Sequence, residues 1–133
     1  MNVKKLRVLM ITDSIGHTRG YHLVSTILRD AGAEVILGGL QTPSEIASAA
    51  VQEDVDMIGY HIMCGDPATL AGTLIQELKR RSAEHIGVVV GGTVLPWRVD
   101  EVKKVGVKEV FLPSSTMQSI VDFFLGKSVA EAG

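Results

Sequence analysis

Five short apolar runs rich in Val and Ile alternate with five longer segments whose apolar residues return at helical spacing. That alternation predicts a parallel sheet covered by helices on both faces. The predicted strands are Leu6 to Thr12, Glu34 to Leu37, Met57 to His61, Gly87 to Val90 and Glu109 to Leu112. The first predicted helix, Gly20 to Ala31, places Leu23, Ile27 and Leu28 on one face and stops at Gly32. Thr42-Pro43-Ser44-Glu45 opens the second, with Thr42 as cap, Pro43 at the first helical position and Glu45 at the third, a capping box. That helix ends near Asp54. Asp66 or Pro67 to Arg81 makes a third, Val99 to Val105 a fourth ending at Gly106, and Ser115 to Leu125 a fifth ending at Gly126; residues 127–133 read as a frayed tail.

Right-handed crossovers leave few topologies for five such units, and the commonest is the flavodoxin-like, Rossmann-like order 2-1-3-4-5. Strands one and three are then neighbours. Their carboxyl ends, carrying Asp13 to His17 and His61 to Gly65, flank the crevice where strand order reverses, and Gly91-Gly92-Thr93 and Pro113-Ser114-Ser115 extend the same edge. All the unusual loop chemistry falls on one side. No internal repeat, linker or low-complexity segment interrupts the 133 residues, which read as one domain. A chain of that length buries roughly 68–70% of its unfolded surface and supports its own core.

Composition removes several functions. Hydrophobic content of 46% and a formal net charge of -2 give no basic excess to draw the chain onto nucleic acid or an anionic membrane. Cys64 stands alone and cannot form an internal disulfide, and no apolar stretch approaches the roughly 20 residues that span a bilayer. The apolar run after Lys5 is too short for a secretory core with its cleavage site, so a cytoplasmic location is expected.

The segment Gly16-His17-Thr18-Arg19-Gly20 places a histidine between two glycines where the first strand hands over to the first helix. It is not the Gly-x-Gly-x-x-Gly fingerprint of dinucleotide sites, and no Gly-Lys-Ser/Thr phosphate loop is present, so nicotinamide cofactors and nucleotide hydrolysis are disfavoured. Asp13 admits a receiver-like reading, but a Mg²⁺ site there needs further oxygen ligands, and the charges near the first strand are Lys4, Lys5 and Arg7. With strands one and three paired, His17, His61, Cys64 and Asp13 could compose a mixed metal site, although no short ligand spacing marks it. Gly91-Gly92 reads either as a tight turn or as backbone laid bare for a flat ligand group. Trp97 covers the core edge, caps the crevice or anchors a partner. His22 and His85 read as helix-face and loop residues.

Taken in order, His17-Thr18-Arg19-Gly20, Gln41-Thr42-Pro43-Ser44-Glu45, Gln52 to Asp56, Val88 to Gly92 and Phe111-Leu112-Pro113 resemble the cobalamin-binding domain of the methylmalonyl-CoA mutase family, from about Arg7 to Phe124. The histidine followed three residues later by glycine is that family's cofactor signature. A chain holding this domain alone is similar to the separate small subunit of two-subunit acyl-CoA mutases, whose catalytic barrel is another polypeptide.

The resemblance implies adenosylcobalamin as cofactor, with His17 as the metal ligand displacing the cofactor's own base from cobalt while the nucleotide tail enters a slot beside the sheet. Gly16, Thr18, Arg19 and Gly20 would surround that ligand; His61, Met63, Gly91, Gly92, Pro113, Ser114 and Ser115 would border the tail. It implies a large subunit carrying an acyl-CoA-binding barrel as partner, and no activity from this chain alone. The family pattern Asp-x-His-x-x-Gly reads Ile15-Gly16-His17-Thr18-Arg19-Gly20 here, a lysine position falls on Ile11, and Ser-x-Leu after strand three reads His61-Ile62-Met63. A ligating histidine normally donates its other ring nitrogen to a carboxylate or carbonyl. Asp13 could supply one only if the loop folds back. The alternatives are a corrinoid carrier for methyl transfer or a module binding another ligand at His17, His61 and Cys64. Such a carrier usually has a helical cap ahead of this domain, whereas strand one starts here near residue six.

Overall fold

The computed structural model describes residues 5–126; the expected frayed tail lies outside them. Strands β1 (Arg7–Thr12), β2 (Glu34–Leu40), β3 (Met57–Ile62), β4 (Gly87–Gly92) and β5 (Glu109–Phe111) form one parallel sheet in the order β2-β1-β3-β4-β5. The helices between them are α1 (Arg19–Asp30), α2 (Pro43–Gln52), α3 (Pro67–Arg80), α4 (Val99–Lys104), preceded by a 3-10 turn at Pro96–Arg98, and α5 (Met117–Phe124). This is the flavodoxin-like arrangement read from the sequence.

Period-two alternation along the central strands divides the core in two. Leu9, Ile11, Ile58, Tyr60, Ile62, Val88 and Val90 pack with the buried residues of α2, α3 and α4, whereas Val8, Met10 and Val89 pack with Tyr21, Val24 and Leu28 of α1 and Val121 and Phe124 of α5. The second face is the thinner one, and it holds the site. Tyr60, buried among the first set, has its phenol pushed up to about 12 by desolvation, with Asp13 adding to the shift. It is a packing residue that stays neutral.

Local chemistry accounts for the helix starts. Thr42 accepts from Glu45 N–H at 3.3 Å while Glu45 accepts from Thr42 N–H at 2.8 Å, so the capping box is formed. Asp66 caps α3 through Thr69 N–H, and the Arg98 guanidinium beside it holds its carboxyl well below the usual carboxylate range. Thr116 caps α5, which therefore starts at Met117, two residues after the expected Ser115.

Three further expectations need adjusting. β2 runs on to Leu40 because the β1 register shifts between Met10 and Ile11, leaving Gly38 as a bulge and Gly39 at φ +70°. The Tyr21 hydroxyl accepts from Gly39 N–H at 3.2 Å and donates to Met10 C=O at 2.9 Å, which satisfies backbone the bulge leaves open. Gly91 and Gly92 lie within β4, not in the loop after it. Leu23 is exposed; α1 buries Tyr21, Val24, Ser25 and Leu28 instead, because its packing stripe is set by the Tyr21 anchor.

Candidate functional site

Side chains missing from the α1/α5 face of the sheet open a cleft there. Gly59 in β3 and Gly91 in β4 share that face with Met10 and Val89, so a groove of about 430 Å³ runs from the strand ends down over the sheet between α1 and α5. Its floor is Met10, Gly59 and Val89, and its walls include Tyr21 and Val24 from α1 and Met117, Ile120 and Phe124 from α5. A Cβ on Gly59 would press against Met10 and Phe124, whereas one on Gly91 would come no nearer to another atom than 4.0 Å and would stand in the groove. Gly92 is there for another reason. Its φ is +117° and a Cβ would strike the Ile62 carbonyl, so the chain cannot turn out of β4 with any other residue.

Polar groups gather where the groove meets the carboxyl edge. His17, Arg19, Gly20, His61, Met63, Thr93, Pro113 and Ser115 line its upper part. His17 is exposed at the mouth with φ +51°, a conformation that L residues other than glycine adopt infrequently. Thr18, at the N-cap position of α1, makes no side-chain cap, so the first turn of that helix, whose Arg19 and Gly20 line the groove, starts without one. Gly16, Thr18 and Ser114 stand outside the walls, although all three were expected to border the ligand.

His61 faces Thr12 across the β1/β3 register, its Nδ1 3.1 Å from the Thr12 hydroxyl. Burial lowers its affinity for a proton, and the Asp13 carboxylate offsets part of that shift. The imidazole is therefore a neutral polar group in a mostly apolar groove.

Asp13 does not turn toward His17. Its carboxylate accepts from Met63 N–H at 2.6 Å, Cys64 N–H at 3.0 Å and Gly65 N–H at 2.6 Å, tying the end of β1 to the loop after β3. That overturns the suggestion that it replaces the family's aspartate beside the histidine. It also dissolves the mixed metal site: Cys64 is exposed, and among the described residues no three His, Cys, Asp or Glu side chains are gathered to hold an ion. Arg7, weighed with the charges near strand one, lies at the opposite sheet edge paired with Glu34 and Glu53. Trp97 neither covers the core nor lines the groove; it stands 78% exposed on the turn before α4.

The sequence reading missed the floor of the groove. Gly59 could have been found, since it falls two residues before His61 and must share its face. Tyr21, Val24, Ile120 and Phe124 could not, because apolar helix residues that wall a groove look the same in sequence as those that fill a core.

The doubly wound sheet, with ligand chemistry at its switch point and a slot let into one face, defines an α/β ligand-binding domain of the flavodoxin-like class. Residues 8–119 match the B12 binding domain family, and the chain belongs to it. It is 36% identical over 124 residues to the 2-hydroxyisobutanoyl-CoA mutase small subunit of Aquincola tertiaricarbonis, covering 92% of this chain and 91% of that one. It is 36% identical over 121 residues to the pivalyl-CoA mutase small subunit of Xanthobacter autotrophicus, covering 90% and 81%. Against the methylmalonyl-CoA mutase of Cereibacter sphaeroides the identity is 35% over 111 residues, and the chain spans only 16% of that protein. Among solved structures, a cobalamin-binding protein from Desulfitobacterium hafniense superposes with a TM-score of 0.77 at 17% identity, covering 92% of this chain and 59% of that one. A response-regulator receiver domain from Mycobacterium tuberculosis reaches 0.70 at 17% identity over 93% and 96%, so these likenesses speak to the fold alone.

Proposed function

We propose that this chain is the cobalamin-binding small subunit of an adenosylcobalamin-dependent acyl-CoA mutase, inactive alone and completed by a large subunit that carries the acyl-CoA-binding barrel. The observation that carries the reading is the junction of His17 with the mouth of an apolar slot. A base-and-ribose tail needs a narrow, dry groove, and a cobalt ligand must stand at its open end. The similarity to two mutase small subunits over most of both lengths supports the same division of labour.

The residues present fit such a group. The groove is lined mainly by apolar side chains and bare glycine backbone, as a flat aromatic base requires, while Thr93, Ser115, Arg19 and the uncapped start of α1 offer donors near the mouth for phosphate and sugar oxygens. His17 would hold the cobalt through a neutral imidazole. The chemistry supplied by the bound cofactor is reversible cobalt–carbon homolysis, the source of the radical for a 1,2-rearrangement. This chain's own tasks are to hold an imidazole at the mouth, to keep water from the groove through Met10, Val24, Ile120 and Phe124, and to present the open edge to the barrel.

That edge bears exposed apolar residues suited to the large subunit: Ile15 at 90%, Leu40 at 59% and Trp97 at 78% exposure. We place the assembly in the cytoplasm; among the described residues no helix is long and apolar enough to cross a membrane. The test is to mix the purified chain with a mutase large subunit and adenosylcobalamin. Acyl-CoA rearrangement is expected only when all three are present. Turnover by this chain with cofactor alone would refute the proposal.

A further inference from the structure

Two buried hydroxyls lie between His61 and the backbone that leads to His17: Thr12 touches His61 and the Ser14 backbone, and Ser14 touches the Gly16 backbone. His61 Nδ1 lies 3.1 Å from Thr12 Oγ1. The same hydroxyl accepts from Ser14 N–H at 3.2 Å and approaches the Ser14 carbonyl at 3.2 Å. The Ser14 hydroxyl in turn accepts from Gly16 N–H at 3.1 Å and donates to the Gly16 carbonyl at 2.8 Å. Gly16 precedes His17, the residue held at φ +51°. Thr12 is 4% and Ser14 8% exposed, so water does not compete well for these bonds, whereas Ile15, the next residue, is 90% exposed.

Proton counting couples His61 to the Ser14 backbone through the Thr12 hydroxyl. Thr12 has one hydroxyl hydrogen, which goes either to the Ser14 carbonyl or to His61 Nδ1. In the first case His61 must carry its proton on Nδ1 and present a bare Nε2; in the second it presents Nε2–H and the Ser14 carbonyl gives up that bond. The tautomer of His61 and the bonding of the loop that carries His17 are therefore alternatives of one arrangement.

We propose that Thr12 and Ser14 are positioning residues, a hydroxyl relay that fixes the His17 loop in its ligand-presenting conformation and ties it to His61 in the slot. The relay holds the backbone that leads into His17, at Ser14 and Gly16, where a carboxylate would have held the imidazole itself. Its effect on a corrinoid rests on the reading of His17 as the cobalt ligand; its existence does not.

The test therefore starts without cofactor, by NMR of the full chain. In Ser14→Ala the Gly16 amide exchanges at least about tenfold faster than in the wild type, since its protecting acceptor is gone. The ring nitrogen resonances of His61, which Ser14 does not touch, also move. Thr12→Val moves them too, while Ser14→Thr and Thr12→Ser, which keep the hydroxyl, leave both signals near wild type. Should Ser14→Ala not fold, Ser14→Cys takes its place with the same expected outcomes. With cobalt(II) cobalamin added, Ser14→Ala shows at least about a fivefold smaller fraction with nitrogen coupling from a protein imidazole, and Ser14→Thr restores it. Unchanged His61 resonances in both Ser14→Ala and Thr12→Val, or full imidazole coupling in Ser14→Ala, would overturn the relay. A wild type that takes up no cobalamin while the cofactor-free signals change as described would refute the proposed function and leave the relay standing.

Discussion

A neutral imidazole half-buried beside Thr12 has a definite consequence for pH. Burial lowers the proton affinity of His61 below that of a free histidine, so the unfolded chain binds the extra proton more readily than the folded one. The stability His61 contributes is present above the unfolded value of about 6.5 and is lost as pH falls through the lowered folded value. Urea midpoints measured at about pH 7.5 and about pH 5.5 are expected to drop in the wild type, and His61→Gln, which cannot titrate, is expected to remove part of that drop; an unchanged drop would contradict the assignment. Ile15 offers a second test at this scale. It is 90% exposed where the family has a carboxylate, so Ile15→Asp costs the fold little and gives the His17 ring an acceptor. Cobalamin affinity is expected to rise by about 10-fold, the low end of what such partners contribute. Sequence marked both positions as departures from the family, yet it could not show that Asp13 was already committed to three amides of the loop after β3.

At the scale of elements, the strands and helices were legible because each obeys a local rule. Alternating apolar runs set the strands, and Thr42 with Glu45 set the start of α2. Thr42→Ala is expected to lower stability by about 1 kcal/mol, read as a shift of about 4 °C in a thermal melt, because the reciprocal cap is formed and solvent cannot replace both bonds. What the sequence obscured came from long-range geometry. β2 was expected to stop at Leu37, before two glycines, whereas the bulge and the Tyr21 hydroxyl carry the strand on to Leu40. The glycine pair of β4 looked like a single device and is two. Gly91→Ala adds a methyl group to open groove and is expected to leave the melting temperature near wild type while weakening cobalamin binding. Gly92→Ala drives a Cβ onto the Ile62 carbonyl in a left-handed conformation and is expected to destabilise the fold by more than about 1 kcal/mol. Melts and cobalamin titrations of the two variants separate these roles; equal effects on both properties would show that the groove floor does not extend over Gly91.

The whole molecule presents one functional edge. At the opposite edge Arg7 pairs with its carboxylate partners, and α2 to α4 cover a continuous core; the groove mouth and the apolar residues around it are the proposed contact for the large subunit. Trp97, on the turn between β4 and α4, is the largest exposed side chain there. Trp97→Ala is expected to weaken association with a large subunit by about 10-fold or more, as interface tryptophans often do, with no effect on the melting temperature of the isolated chain. A substitution on the outer face of α3, such as Lys79→Ala, is expected to leave association unchanged. On the proposed function, the large subunit is expected to sit over the exposed Trp97. The proposed function depends on His17 standing at the mouth of a slot that would take a corrinoid tail. The most direct measurement is titration of cobalt(II) cobalamin into the wild type and His17→Ala, followed by electron paramagnetic resonance. The wild type is expected to show nitrogen coupling from a protein imidazole. The variant is expected to lose that coupling, with affinity falling by more than the roughly 10–100-fold that loss of an outer partner costs. Unchanged affinity and unchanged coupling in His17→Ala would contradict it.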